Sequence, residues 1–191
     1  MDCYVLAGGL SRRMARPKIS IPFAGTTFLG RVTEAARGAF GRVLAVRRAG
    51  DAALPGIETI VEPPHEATAP VFGVLAALRH AREGCFVLAV DYPMITAEIL
   101  AFLRDAGGVP VWRGKPQVLC AAYDPALAER IEQRIGEGRL DLRGLIEEAG
   151  AAMIPEAELR ARFAGEPLMN VNTPQELEEA ERIYGRFLAS R

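Results

Sequence analysis

The sequence predicts an α/β fold in which a mostly parallel central sheet carries helices on both faces. In the first half of the chain, short apolar runs alternate with stretches of helical periodicity, which is typical of βαβ units. Residues 85–90 are apolar at every position, as expected for a central parallel strand covered on both sides. The length of 191 residues and the absence of a long linker predict a single domain over residues 1–191.

Apolar runs and capping signals place the individual elements in chain order. The predicted strands lie around residues 5–6 and at 42–47, 58–61, 85–90, 109–112 and 117–123. The predicted helices are residues 27–38, 71–83, a segment that follows Thr96, 124–134, 141–149 and 173–189. Pro70 suits the first position of the second helix, and Thr173 with Glu176 forms a capping box for the last one. Residues 63–68 are the longest irregular stretch and are predicted to be a mobile loop at the carboxyl edge of the sheet.

Composition and charge exclude several classes of partner. The formal net charge is −1, so no global field attracts nucleic acid or an anionic membrane. No apolar stretch approaches the roughly 20 residues that a bilayer-spanning helix needs. The chain begins directly with a strand pattern instead of a signal peptide, and its three cysteines fit no zinc motif. We therefore expect a cytoplasmic protein with reduced thiols in its core.

A cluster of positive charge follows directly after the first strand. Gly8 and Gly9 end the apolar run, four basic residues follow up to Lys18, and no acidic residue lies between Asp2 and Glu34. Glycines let backbone N–H groups approach an anion closely, and arginine and lysine supply the countercharge. The segment lacks the patterns of a Walker P-loop and of a dinucleotide-binding turn, but it predicts a site for a polyphosphate.

Lysine is rare in this chain, which draws attention to the two positions where it occurs. Of the 23 basic residues, only Lys18 and Lys115 are lysines. A lysine retained in an arginine-rich chain is consistent with a site that needs a compact ammonium group. Chance is an equally good explanation at Lys115.

Two further segments carry polar side chains that suit phosphate chemistry. Asp91 follows the predicted central strand, where a carboxylate can hold Mg²⁺ against nucleotide phosphates, although a turn or helix-cap aspartate would look the same. Asn170 and Asn172 stand two apart on an extended segment and therefore point to one face, unless they are a surface amide and a turn residue. With only two histidines in the chain, nucleophilic catalysis has little support. The remaining possibility is phosphoryl or nucleotidyl transfer, promoted by positioning of the substrates, Mg²⁺ and positive charge.

Taken together and in this order, these segments resemble the molybdenum cofactor guanylyltransferase family. The resemblance rests on Leu6-Ala7-Gly8-Gly9, on Arg13-Met14 with Lys18, on Asp91-Tyr92-Pro93, and on residues 170–174, which read Asn-Val-Asn-Thr-Pro. It implies a three-layer Rossmann-like nucleotidyltransferase fold. It also implies transfer of GMP from GTP to molybdopterin or its molybdenum form, with release of pyrophosphate and with Mg²⁺ as cofactor. Molybdoenzymes or their chaperones are further partners that the resemblance implies.

The resemblance also assigns roles to residues of this chain. It implies nucleotide contacts from Leu6, Ala7, Gly8, Gly9, Lys18, Glu62 and Asp91, with Mg²⁺ on Asp91. It implies that Arg13 acts with Lys18 and Asp91 in catalysis, and that Asn170 and Asn172 line the pterin side or support the metal. The phosphate of molybdopterin would attack the α-phosphorus of GTP while Lys18 and Mg²⁺ neutralise the developing charge.

Four positions depart from the family pattern. Ala15 and Ala69 stand where the family usually has glycine, and Glu62 stands where an aspartate often follows the third strand. An asparagine common after the second strand is replaced at Val46 or Arg47. Two alternatives therefore stay open. One is the sister family that transfers CMP, whose opening resembles Ala-Ala-Gly instead of Leu-Ala-Gly-Gly, and the other is a non-catalytic adaptor that kept the nucleotide-binding fold.

Overall fold

A computed structural model describes residues 1–8, 14, 16–52 and 54–189 of the chain. Its strands are β1 (Asp2–Leu6), β2 (Pro22–Phe23), β3 (Thr26–Thr27), β4 (Val43–Arg47), β5 (Glu58–Val61), β6 (Cys85–Ala89), β7 (Val109–Trp112), β8 (Lys115–Pro116), β9 (Cys120–Tyr123) and β10 (Met153–Ile154). Its α-helices are α1 (Phe28–Ala39), α2 (Val71–His80), α3 (Ala97–Ala106), α4 (Leu127–Gly136), α5 (Leu142–Glu148), α6 (Glu156–Arg162) and α7 (Pro174–Ala189). A short 3₁₀ turn spans Lys18–Ser20.

The central sheet has the strand order β5-β4-β1-β6-β9. Its first four strands run parallel, and β9 pairs antiparallel with β6 at one edge. The register places Leu6 of β1 beside Val46 of β4 on one side and beside Ala89 of β6 on the other. The carboxyl ends of these strands are therefore level, and the segments that follow them start from one edge of the sheet.

Helices cover both faces of this sheet. On one face, Val5 of β1 and Leu88 of β6 pack in a single cluster with residues of α1 and α3. On the other face, Tyr4 and Val87 pack with residues of α2, α4 and α5. Because neighbouring residues of a strand point to opposite faces, every position of β6 is buried. The predicted α/β fold, with a mostly parallel sheet between two helical layers, is confirmed.

The last part of the chain returns to the carboxyl edge of the sheet. A third cluster, which includes Phe28 of α1 and Ala180 of α7, also buries Met169 and Val171. The N–H of Val171 donates to the carbonyl of Asp91 over 2.8 Å. These contacts fix residues 169–172 beside the end of β6, although the two segments are far apart in sequence.

Several predicted boundaries are wrong, and the structure gives the reasons. The helix predicted for residues 71–83 ends at His80, because Ala81 turns to extended geometry. The strand predicted for residues 117–123 begins only at Cys120, because the N–H of Cys120 donates to the carbonyl of Gln117 in a tight turn. The predictions also missed α6 and the short strands β2, β3, β8 and β10. Residues 63–68 contain no helix or strand, as predicted.

The three cysteines lie in the core as free thiols. Cys3, Cys85 and Cys120 are each fully buried and form no disulfide. Burial raises the pKa of the Cys85 thiol to about 12, so this group stays protonated at neutral pH.

Among the helices of the described residues, none combines the length and the apolar character needed to cross a membrane.

Candidate active site

A cavity opens at the carboxyl edge of the parallel strands. Its volume is about 580 Å³. Residues that end or follow β1, β4, β5 and β6 line it, together with the first turn of α2: Leu6, Ala7, Gly8, Pro17, Lys18, Ile19, Val46, Arg47, Arg48, Asp51, Ala52, Glu62, Thr68, Ala69, Pro70, Gly73, Ala89, Val90, Asp91 and Leu119. This edge is where ligands bind in open α/β sheets. Six of the residues that the sequence assigned to nucleotide binding line this one cavity: Leu6, Ala7, Gly8, Lys18, Glu62 and Asp91.

Lys18, Asp91 and Asn172 form a connected group at one end of this cavity. The ammonium of Lys18 donates to Oδ2 of Asp91 over 3.0 Å and to Oδ1 of Asn172 over 2.6 Å. Its position comes from the 3₁₀ turn, while Asp91 follows β6 and Asn172 precedes α7. Three sequence motifs that are far apart in the chain therefore meet at the ammonium group of Lys18.

A capping box holds Asn172 in place. Oε2 of Glu176 accepts hydrogen bonds from the N–H groups of Asn172 (2.7 Å) and Thr173 (3.0 Å). In return, the hydroxyl of Thr173 accepts from the N–H of Glu176 over 3.2 Å. This confirms the predicted capping box. The capping box fixes the backbone on both sides of the Asn172 side chain. The start of α7 therefore also positions Asn172 in the site.

One oxygen of Asp91 is buried without a hydrogen bond in the described part of the chain. Oδ2 pairs with Lys18, whereas Oδ1 has no such partner. Leaving a buried acceptor unsatisfied is costly unless a ligand completes it. No group of three or more His, Cys, Asp or Glu side chains that could hold a metal occurs among the described residues. A single free carboxylate oxygen suits Mg²⁺, which takes few protein ligands and keeps the rest as phosphate and water.

At the opposite end of the cavity, Glu62 brings a second carboxylate. It follows β5 and is only 7 % exposed. Its Oε1 lies 3.3 Å from Nε of Arg48 and 3.4 Å from Nε2 of His65. Its Oε2 lies on the side of Gly73, where an added Cβ would come within 3.4 Å of it. A buried carboxylate beside an arginine can accept hydrogen bonds from a donor in the cavity.

Arg47 is a buried charged residue of this cavity whose hydrogen bonding is incomplete. It is 7 % exposed, and its Nε lies 3.3 Å from Oδ2 of Asp51 without forming a hydrogen bond. In the described structure, neither its Nε nor its Nη1 has a hydrogen-bond acceptor. Val46, the other candidate for the replaced asparagine, packs in the core beneath α2. Of these two candidates, Arg47 is therefore the one that brings a polar side chain to the cavity.

Gly8 explains why the backbone after β1 can lie so close to these arginines. A Cβ at this position would stand 3.3 Å from both the backbone nitrogen and Cγ of Arg48. Contacts this short are tighter than side chains normally tolerate, so a glycine allows the approach. Gly9, Arg13 and Ala15 lie outside the described residues, and their expected roles stay predictions.

A second, smaller cavity of about 390 Å³ adjoins the first. Leu119 lines both cavities, and Asn172, which binds Lys18, lines the second. The other lining residues are Tyr92, Trp112, Arg113, Lys115, Pro116, Gln117, Val118, Arg143, Leu168, Met169, Asn170 and Glu176. The structure thus brings both predicted asparagines to one cavity, next to the chain's second lysine.

Sequence reasoning missed most of this second cavity. Gln117 is buried and accepts from the hydroxyl of Tyr92 over 3.0 Å, while its own amide donates to the carbonyls of Trp112 and Lys115. Burial and the neighbouring Asp91 carboxylate raise the pKa of Tyr92 well above its usual range, so its hydroxyl remains a donor. For Lys115, the rarity of lysine was the available signal. Nothing in the sequence pattern singled out Arg143 or Gln117 as a cavity residue.

The chain matches the model of the MobA-like NTP transferase domain over residues 3–153. The protein belongs to the MobA-like NTP transferase family. This confirms the resemblance drawn from its motifs and the nucleotidyltransferase type of its fold. Members of this family are nucleotidyltransferases, so the protein is an enzyme of that class.

Curated relatives of this MobA-like protein cover most of its length. It is 32 % identical to a probable molybdenum cofactor guanylyltransferase of Aquifex aeolicus, covering 97 % of this chain and 92 % of that one. It is 32 % identical to a molybdenum cofactor guanylyltransferase of Rhizobium meliloti, covering 93 % and 88 %. The corresponding probable enzyme of Mycobacterium tuberculosis is 34 % identical, covering 88 % and 87 %.

Solved structures agree with this assignment. Molybdopterin-guanine dinucleotide biosynthesis protein A from Archaeoglobus fulgidus superimposes with a TM-score of 0.79 at 27 % identity, covering 97 % of this chain and 100 % of that one. A 2-C-methyl-D-erythritol 4-phosphate cytidylyltransferase from Thermus thermophilus gives 0.67 at 17 % identity, covering 95 % and 98 %. At that identity the second likeness shows a shared fold alone.

Proposed function

We propose that this protein transfers GMP from GTP to molybdopterin or its molybdenum form and releases pyrophosphate. The observation that carries the proposal is the pair of adjoining cavities, which meet where Lys18 bonds both Asp91 and Asn172. A nucleotidyl transfer needs two substrates whose reacting phosphates meet at one point beside positive charge. Relatives that are named molybdenum cofactor guanylyltransferases support guanylyl transfer as the specific reaction.

In this proposal the nucleotide spans the larger cavity from Glu62 to Asp91. Guanine presents two neighbouring donors, its N1–H and its 2-amino group, which can both donate to a carboxylate oxygen. Glu62 is the buried carboxylate at that end of the cavity. Cytosine presents a donor next to an acceptor, so one carboxylate oxygen would face a lone pair. This favours GTP over the CTP of the sister family.

The phosphates then lie toward Lys18 and the backbone of Leu6, Ala7 and Gly8. The acceptor phosphate attacks the α-phosphorus of GTP, a new P–O bond forms, and the bond to the pyrophosphate oxygen breaks. Lys18 stabilises the negative charge that develops on the transferred phosphoryl group, and Asn172 holds the ammonium in place. Mg²⁺ held by the free oxygen of Asp91 would supply further positive charge to the same phosphates.

The acceptor occupies the smaller cavity. Lys115 and Arg143 line it and supply positive charge for the phosphate of molybdopterin. Asn170 and Asn172 line the same cavity and offer amide groups that can donate to and accept from the pterin ring. Leu119 and Lys18 separate the two substrates, so only the reacting phosphates need to approach each other.

Labelled GTP, molybdopterin and Mg²⁺ test this proposal in one reaction. We expect formation of a guanine dinucleotide together with one pyrophosphate, and loss of both when a chelator removes the metal. Replacing GTP or molybdopterin by buffer should abolish product formation. Tight GTP binding without pyrophosphate release in the complete mixture would instead favour the non-catalytic adaptor.

A further inference from the structure

The carboxylate of Glu62 is held on one of its two oxygens. Both basic neighbours approach Oε1, with Arg48 Nε at 3.3 Å and His65 Nε2 at 3.4 Å. Oε2 lies instead on the side of Gly73 and Leu6, two residues that line the larger cavity. The side chain therefore has an anchored oxygen and an oxygen that faces the ligand space.

Contacts hold the ring of His65 in place but do not determine whether its second nitrogen is protonated. Its Nδ1 lies 2.5 Å from the carbonyl oxygen of Ala67, and its ring stacks on Phe72 at 3.7 Å with an interplanar angle of 9°. Because a carbonyl oxygen only accepts, Nδ1 carries a proton. Nε2 is buried and, among the described residues, has no hydrogen bond. Whether Nε2 carries a proton determines whether Glu62 faces a lone pair or an N–H donor.

The two states of Nε2 act on Glu62 in opposite directions. In the neutral ring, Nε2 presents a lone pair to a carboxylate oxygen at 3.4 Å, which is repulsive. In the imidazolium, Nε2–H can donate to that oxygen and form a charge-assisted hydrogen bond. Histidine is the side chain that changes between these states near neutral pH.

Of the other charged groups near the ring, Arg48 also contacts Glu62, and it keeps its charge at every pH. Arg48 shares the same oxygen of Glu62, and Asp51 accepts from the backbone N–H of Arg48 and pairs with Arg47. From α2, the ring contact is with Phe72, which carries no charge. The neighbouring Glu66 is exposed to solvent.

We propose that His65 is a positioning residue whose protonated ring fixes Glu62 for recognition of the guanine base. This inference rests on the proposed function, because it assigns the base to Glu62. With Oε1 anchored by Nε2–H, the carboxylate keeps one orientation and presents its free oxygen to the donor edge of guanine. With a neutral ring this donor is lost and Arg48 remains on Oε1, so the carboxylate is held less firmly and the affinity for GTP is lower.

GTP binding measured by calorimetry from about pH 6 to about pH 8 tests this inference. The phosphates of GTP also titrate in this range and affect every variant alike. The quantity compared is therefore the ratio of the wild-type affinity to the variant affinity at each pH. His65→Gln is the informative variant, because its amide can donate to Glu62 at every pH. We expect the wild type to match His65→Gln at the lower pH and to bind about tenfold more weakly at the higher one. His65→Phe should bind weakly throughout.

His80→Gln is the matched control, since this other histidine is exposed on α2 and bonds the hydroxyl of Tyr4 over 2.9 Å. It should keep the wild-type profile, and thermal melts identify any variant that is not folded. Guanine-selective binding with the same pH profile in wild type and in both His65 variants would overturn this inference alone. A wild-type protein that binds CTP as tightly as GTP would overturn the proposed function and this inference with it.

Discussion

Lys18 and Asp91 form an ion pair of 3.0 Å between segments that are 73 residues apart. The same ammonium bonds Asn172, which comes from a third segment near the start of α7. One cation therefore joins the loop after β1, the end of β6 and the segment before α7. Each motif alone has an ordinary structural explanation, and their meeting point is what makes them a site.

Replacing Asp91 by asparagine tests the role of its charge. The amide keeps the size of the side chain and can still accept from Lys18, but it loses the negative charge that would hold a cation. We expect pyrophosphate release at saturating GTP to fall by at least about 100-fold. The melting temperature should stay within about 4 °C of wild type.

Asp105→Asn is the control for this prediction. Asp105 is an exposed aspartate of α3 that pairs with its neighbour Arg104. Its replacement should leave pyrophosphate release unchanged. Wild-type turnover in Asp91→Asn would show that the reaction does not need this carboxylate.

Lys18→Ala should weaken GTP binding by about 10- to 100-fold, because a charge-assisted contact to phosphate is lost. Equilibrium binding of GTP in the absence of acceptor measures this effect directly. GTP affinity equal to that of the wild type would exclude Lys18 as a phosphate ligand.

Lys115→Ala should act on the other substrate. Lys115 is exposed and lines the smaller cavity, not the larger one assigned to GTP. We expect the KM for molybdopterin to rise by about tenfold while the dissociation constant of GTP stays unchanged. The two lysine variants are thus each other's control, and a GTP defect in Lys115→Ala would contradict the assignment of the two cavities.

Arg47→Met should stabilise the ligand-free protein and weaken its response to nucleotide. The guanidinium is buried, two of its nitrogens have no hydrogen-bond acceptor in the described residues, and its ion-pair partner Asp51 is exposed, so its charge is only partly compensated. Methionine keeps most of the apolar stem and removes that charge. We expect the free energy of unfolding to rise by about 1–2 kcal/mol.

Thermal melts with and without GTP measure both halves of this prediction. The shift in melting temperature caused by GTP should shrink in Arg47→Met, because the ligand no longer satisfies the buried donors. A variant that is less stable than wild type and keeps the full GTP shift would show that Arg47 is a structural residue.

The parallel sheet was predictable because its signal is local. The unbroken apolar run at 85–90 and the alternating pattern before it give the central strands, and Thr173 with Glu176 gives the start of α7. The helix α6 was missed although Pro155 precedes it and acidic residues occupy its first turn. It buries Leu159 alone, so no apolar periodicity marks it, whereas α5 has the same 7 residues and buries three of them.

The site was only partly predictable, for a physical reason. Lys18, Asp91 and Asn172 lie in recognisable motifs, so they could be named before their contacts were known. The pairing of Glu62 with His65 depends on how the segment after β5 folds back on α2, which no sequence period encodes. Lys115 and Arg143 line one cavity only because separate elements pack together there.

Competition between GTP and CTP decides whether this protein transfers GMP to molybdopterin. Equimolar GTP and CTP are mixed with molybdopterin, Mg²⁺ and the wild-type protein, and mass spectrometry identifies the dinucleotide product. We expect molybdopterin guanine dinucleotide to form in large excess over the cytosine product. A product that contains mainly cytosine, or no dinucleotide at all, would contradict this expectation.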